Sequence, residues 1–195
     1  ITYLLTAGAG FGMGSVIFIA SVAVAALGVA PEQAGLLLIP MVLASTAGSV
    51  VFGRLLNRLG SRMVMIIGFS TLAIGSATLT LAALGLWMFL IASMLVGLGV
   101  GIVVGGTLRT IVLNEVAPEQ RGAAQGLVNV GIAVGNLLVV AALGILADTQ
   151  GGGMAGLRVA YLASAAVMVT MLLLSFGLKP HGEEQLAIAT GPASS

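Results

Sequence analysis

Cysteine is absent from the 195 residues, histidine and tryptophan occur once each, and charged side chains make up only 7% of the chain. Without cysteine there is no disulfide and no thiolate metal site, and the lone His181 leaves little for imidazole chemistry. No phosphate-binding glycine loop, paired catalytic carboxylate or His-bearing metal motif is present, so ATP hydrolysis and intramembrane proteolysis lack their residues. We therefore expect no enzyme, no catalytic residue and no metal. The few cations are dispersed and the formal net charge is +1, which gives nucleic acid nothing to bind. What is abundant is apolar: 59% of residues are hydrophobic and the mean hydropathy is +1.20, more than a water-soluble domain of this length can hide. The solvent this chain is built for is a lipid bilayer.

Charge-free windows locate the helices, because crossing roughly 30 Å of hydrocarbon takes about 20 apolar residues. Five such windows run from Ile1 to Pro31, Gln33 to Gly53, Met63 to Leu108, Gly122 to Ala147 and Val159 to Leu178. The third holds 46 residues, roughly 69 Å as one helix at about 1.5 Å per residue, so it must fold back once. Ala83-Leu84-Gly85-Leu86-Trp87 offers the break, with a glycine for the turn and the only Trp at interface depth. Six spans follow, at about 4–28, 34–54, 63–84, 87–112, 122–147 and 158–178. Residues 1–178 then form a six-helix transmembrane bundle. Residues 179–195, rich in Gly, Pro and Ser and without an apolar period, read as a disordered tail that holds His181.

Six cations, Arg54, Arg58, Arg62, Arg109, Arg121 and Lys179, fall on one side of this topology, and only Arg158 on the other. The positive-inside bias predicts that both ends of the segment are cytoplasmic, and the membrane is expected to be a bacterial-type inner (plasma) membrane. The opening Ile1-Thr2-Tyr3-Leu4 has neither an initiator Met nor a basic leader, so sequence is expected upstream.

The phrase Val29-Ala30-Pro31-Glu32-Gln33 recurs 87 residues later as Val116-Ala117-Pro118-Glu119-Gln120. Each copy opens the second helix of a three-helix group, with Pro at a helix start and Glu where the helix dipole favours an anion. The predicted topology puts the two copies on opposite faces, which is the pattern of a three-plus-three inverted repeat.

Gly53-Arg54-Leu55-Leu56-Asn57-Arg58-Leu59-Gly60-Ser61-Arg62 resembles the loop motif G-x-L-x-D-R-x-G-x-R of the major facilitator superfamily, with Asn57 at the family's acidic position. Gln33-Ala34-Gly35-Leu36-Leu37-Leu38-Ile39-Pro40 and Ala117-Pro118-Glu119-Gln120-Arg121-Gly122 look like the 14-span drug:proton antiporter branch, the multidrug exporters. The resemblance implies the C-terminal half of such a transporter. Its implied partners are the lipid bilayer, a small hydrophobic or cationic substrate and a missing N-terminal half. Its energy source would be a proton gradient, with no cofactor. The arginines of the motif either enforce topology or, as the family implies, latch one conformation at the cytoplasmic face. An uptake permease for a small metabolite and a non-transporting assembly protein remain the alternatives.

The resemblance also places the first, second, fourth and fifth helices around a central pathway, leaving the third and sixth peripheral. Gln125, Asn129 and Asn136 share one stripe of the fifth helix, and Ser45, Ser49, Thr107 and Arg109 add polar groups. Amides at membrane depth need partners, so these seven residues either line a substrate pathway or bond helix to helix. Arg109 either snorkels to the interface or contacts substrate. Glycines at four-residue spacing, Gly97, Gly101 and Gly105 among them, provide small faces that either pack helices closely or, in an alternating-access protein, let them slide. No acid falls near the predicted bilayer centre, so a proton-carrying carboxyl is expected outside this segment.

Overall fold

A computed structural model describes residues 2–107, 120–149 and 153–177, and no strand occurs among them. Six helices are long and apolar enough to cross a membrane: Thr6–Leu27, Pro31–Leu56, Arg58–Leu79, Leu86–Gly105, Arg121–Leu146 and Ala155–Ser175. These are the first to sixth spans below. At 20 to 26 residues each covers roughly 30–39 Å, enough for the hydrocarbon core. All six expected spans are present, and the segment from Leu108 to Glu119, with Arg109 and most of the second repeat phrase, lies outside the described residues. The tail from 178 onward does too.

Local chemistry sets the ends. Gly28 adopts φ 65 and closes the first span, Ala30 is extended, and Pro31 starts the second span at a first-turn position with Glu32 beside it. The expected break near Gly85 is a short 3-10 turn, Ala82–Leu84, followed by Gly85 at φ 139. One expectation is corrected. The stretch from Arg54 to Arg62 is not an open loop: helix runs from Ile39 to Leu79 and is broken only at Gly60, with φ 77 and ψ 159. The third span consequently starts at Arg58 and ends at Leu79, five residues earlier at each end than hydropathy placed it. Arginine stems tolerate helix at a membrane edge, so charge marked the interface and not the end of the helix.

Hydroxyl groups inside the spans are satisfied locally. Thr46, Thr71, Thr78, Thr170 and Ser175 donate to the carbonyl four residues back, at 2.7–3.0 Å, which is how such side chains survive in hydrocarbon.

The main core lies among the first, third, fourth and sixth spans, where Ile19, Met65, Phe69, Leu72, Phe89, Val96, Tyr161 and Met168 are all but fully enclosed. The third and fourth spans are each 50% buried in this chain, whereas the second and fifth are 17% and 22% buried. Within these six helices the third and fourth spans are therefore the most enclosed.

Glycines set which helices touch. A Cβ added at Gly97 or Gly101 would strike the carbonyl oxygen of Met41 or Ser45, and one at Gly105 the Ser49 side chain. The second and fourth spans thus run parallel in direct backbone contact. The first and fifth do the same, with Gly10 against the Ile132 carbonyl, Gly14 against Val139 and Asn136, and Gly135 against the Ala7 carbonyl. Third against fourth is antiparallel, through Gly68 on Ile102 and Val103 and Gly75 on Val96. Sixth against first is antiparallel as well, through Met171 on Gly8 and Met168 near Gly12. First–fifth and fourth–second are equivalent pairs in a three-plus-three repeat, as are first–sixth and fourth–third. The 87-residue offset of the repeated phrase also carries Gly10, Gly12 and Gly14 onto Gly97, Gly99 and Gly101, and Gly48 onto Gly135. The repeat is therefore a property of the packing, not of a capping phrase alone.

Candidate transport site

The polar residues of the fifth span divide between two surroundings. Gln125 is half-buried and donates through Nε2 to Oδ1 of exposed Asn129 at 3.4 Å, a long contact one turn apart. Two turns further on, Asn136 turns into the interface with the first span, its Oδ1 2.6 Å from where a Gly14 Cβ would sit. That oxygen is buried and accepts no hydrogen bond. Gln125 and Asn129 lie on the more open part of the helix.

On the second span, Ser45 presents its carbonyl to Gly101, and Ser49 donates through Oγ to the Gly105 carbonyl at 3.0 Å. Both serines belong to the contact with the fourth span. At this contact the α-ladder of the fourth span ends at Ile102 and Val103–Thr107 winds as a π-turn. Thr107 is the last residue of that turn, and Arg109 lies outside the described residues.

The basic motif flanks the Gly60 kink. Gly53, Arg54 and Arg58 are exposed, Asn57 is helical, and Arg62 is half-buried with its guanidinium 5.8 Å from the centroid of Phe176 at the end of the sixth span. At the opposite end of the same helix pair, Arg158 Nε donates to the Thr80 carbonyl at 3.1 Å. Cations therefore tie the third span to the sixth at both ends.

A contact that sequence reasoning missed sits deeper. The first span tightens to a 3-10 turn over Val16–Phe18, and the buried Tyr161 hydroxyl donates to the Ser15 carbonyl at 2.8 Å. A lone Tyr inside an apolar helix is the signal that could have flagged it, since its hydroxyl requires a partner there.

No cluster of His, Cys, Asp or Glu able to hold a metal occurs among the described residues. The chemistry on offer is polar contact along closely packed helices.

Membrane-spanning, all-helical and built on an internal three-plus-three repeat, the chain has the architecture of half a secondary transporter. It belongs to the Major Facilitator Superfamily, whose profile matches residues 2–193. Among curated relatives, the putative multidrug resistance protein MdtD of Pectobacterium carotovorum subsp. carotovorum (strain PC1) is 30% identical over 105 residues, 53% of this chain and 22% of that protein. The MFS-type transporter YfiU of Bacillus subtilis (strain 168) is 32% identical over 118 residues, 60% of this chain and 23% of that protein. Among solved structures, the inward-open xylose transporter XylE from E. coli superposes with a TM-score of 0.74 at 16% identity, covering 98% of this chain and 52% of that one. XylE bound to 6-bromo-6-deoxy-D-glucose gives 0.77 at 17%, covering 96% and 46%. The chain thus spans less than a quarter of the curated relatives it matches and about half of the solved transporters.

Proposed function

We propose that these six helices are one half of an exporter that expels hydrophobic, often cationic, compounds by alternating access, driven by a proton gradient. The observation that carries this reading is the kinship with a putative multidrug resistance protein, at 30% identity. The resemblance to a xylose transporter is one of fold, at 16–17% identity, and does not argue for sugar. The low burial of the second and fifth spans leaves room for an opposing bundle, with Gln125 and Asn129 available to substrate.

Coupling is assigned elsewhere. The six acids are Glu32, Glu115, Glu119, Asp148, Glu183 and Glu184, and among the described residues only Glu32, in the first turn of the second span, falls within a span. A carboxyl that exchanges a proton against substrate needs a desolvated position in the pathway. In proteoliposomes with an imposed pH gradient, the full-length transporter should expel a fluorescent cationic dye, while the 195-residue segment alone should not. Robust gradient-dependent movement by the segment alone would show instead that two copies assemble into a carrier.

Orientation with both ends cytoplasmic rests on the six-to-one distribution of cations. The Cys-free background permits a direct check at exposed Leu59 beside the kink. A cysteine at Leu59 should react with an impermeant maleimide only after the cells are opened, and labelling of intact cells would reverse the assignment.

A further inference from the structure

The two equivalent glycine-lined pairs are not packed in the same register. In the first–fifth pair, Gly10 faces Ile132 and Gly14 faces Asn136. The 87-residue offset converts these into Gly97 facing Ser45 and Gly101 facing Ser49 in the fourth–second pair. The structure instead has Gly97 on Met41, Gly101 on Ser45 and Gly105 on Ser49. A reciprocal contact shows the same displacement. Gly135 meets the Ala7 carbonyl and the Phe11 nitrogen, while its equivalent Gly48 meets the Leu98 carbonyl and the Ile102 nitrogen, four residues further on than the offset predicts. Winding differs at the matching place as well: Val16–Phe18 is a tightened 3-10 turn, and its counterpart opens into the π-turn Val103–Thr107. The two copies of one design thus occupy two settings, one helical turn apart.

We infer that the second and fifth spans slide by one turn along the fourth and first, exchanging these two settings as the transporter changes state. The inference rests on the transporter reading and adds a moving part to it. Notch and tooth both repeat every four residues: glycines at 97, 101 and 105 face a ridge of Met41, Ser45, Ser49 and then Gly53. A one-turn slide re-seats every glycine, Gly97 on Ser45, Gly101 on Ser49 and Gly105 on Gly53. Gly53, which now has nothing within 4 Å of a Cβ position, acquires a use there. On the other side Gly10 would face Val128 and Gly14 would face Ile132, freeing the unpartnered Asn136 Oδ1 from its burial against Gly14. Both slides carry the second and fifth spans the same way, toward the end where Gly28 joins Pro31. These are also the two least buried spans. Discrete one-turn jumps of one packed element past another are an established form of conformational switching, and the backbone-on-glycine contacts reform equivalently in either setting.

Spin labels on the full-length protein test this. Val51 on the second span and Trp87 at the start of the fourth are both exposed, and Met63 on the third span supplies a fixed reference. With Val51→Cys and Trp87→Cys labelled in proteoliposomes, pulsed-EPR distances under opposed pH gradients should show two populations, the shorter by about 6 Å, the rise of four helical residues. The Met63→Cys/Trp87→Cys pair should keep one distance. A single unchanged 51–87 distance in protein that extrudes dye would overturn the slide and leave the transporter reading standing. Two populations without dye movement would support the slide and sink the export reading, and one distance without dye movement would sink both.

Discussion

All six spans are strongly apolar, with hydropathies from 1.5 to 2.4, yet the fourth is 50% buried inside the chain and the second, its parallel neighbour, only 17%. Hydropathy therefore reports the solvent of a helix and says little about which neighbours it has. What distinguishes the two is the size of the side chains on the contact face. The fourth span offers Gly97, Gly99, Gly101 and Gly105, which bring the second and third spans into backbone contact on two sides. The second span keeps Val42, Leu43, Val50 and Val51 exposed on its other face, where lipid or an opposing bundle provides the surroundings. In a bilayer apolar bulk brings no net gain from leaving water, so close packing and satisfied polar groups decide the arrangement.

The sharpest way to break this contrast is to put bulk on the glycine face. Gly101→Val would drive a side chain into the Ser45 carbonyl and force the two backbones apart. We expect a loss on the order of 3 kcal/mol or more, read as a lower melting temperature and aggregation in detergent. Gly122→Val on the fifth span meets nothing within 4 Å and should change stability by no more than about 0.5 kcal/mol. Equal loss from both would mean that the glycine contacts do not set the packing.

A smaller effect on stability but a clear one on function is expected at the basic kink. Gly53 and Arg58 are exposed, and a Cβ at Gly53 would meet nothing within 4 Å. Gly53→Val and Arg58→Ala should lower dye transport several-fold while abundance and melting stay near those of the parent. Normal transport in both variants at matched expression would leave the arginines with only a topological role.

The smallest expected change sharpens the comparison inside the core. Tyr161→Phe removes the hydroxyl that reaches Ser15 at the 3-10 turn of the first span. Its cost should be about 1 kcal/mol, a shift of a few degrees in melting. An unchanged melting temperature would show that this hydrogen bond is replaced when lost.

Much of this was legible in sequence. Charge-free windows gave six spans, since no charged side chain is tolerated at bilayer depth without a partner. Gly85 and Pro31 gave breaks, because positive φ and a missing N–H are properties of single residues. The loop motif pointed to the superfamily, which the profile match establishes, and the repeated phrase pointed to the inverted repeat. The seven polar residues were legible as positions but not as surroundings. Asn136 and Asn129 are alike in sequence, and only the packed bundle turns one against Gly14 and leaves the other exposed. Hydropathy also ended the second span at the first arginine, whereas the helix continues to the kink at Gly60, because long cationic stems reach the interface from within a helix.

By itself, then, the sequence determined the solvent, the number of spans and the kind of protein, because each follows from local composition or a contiguous phrase. Which helices pair, that Tyr161 closes on Ser15, and that two equivalent glycine seams sit one turn apart were decided only in the tertiary structure. A four-residue glycine repeat fits its neighbour equally well in either register, so the choice between registers depends on all six helices together.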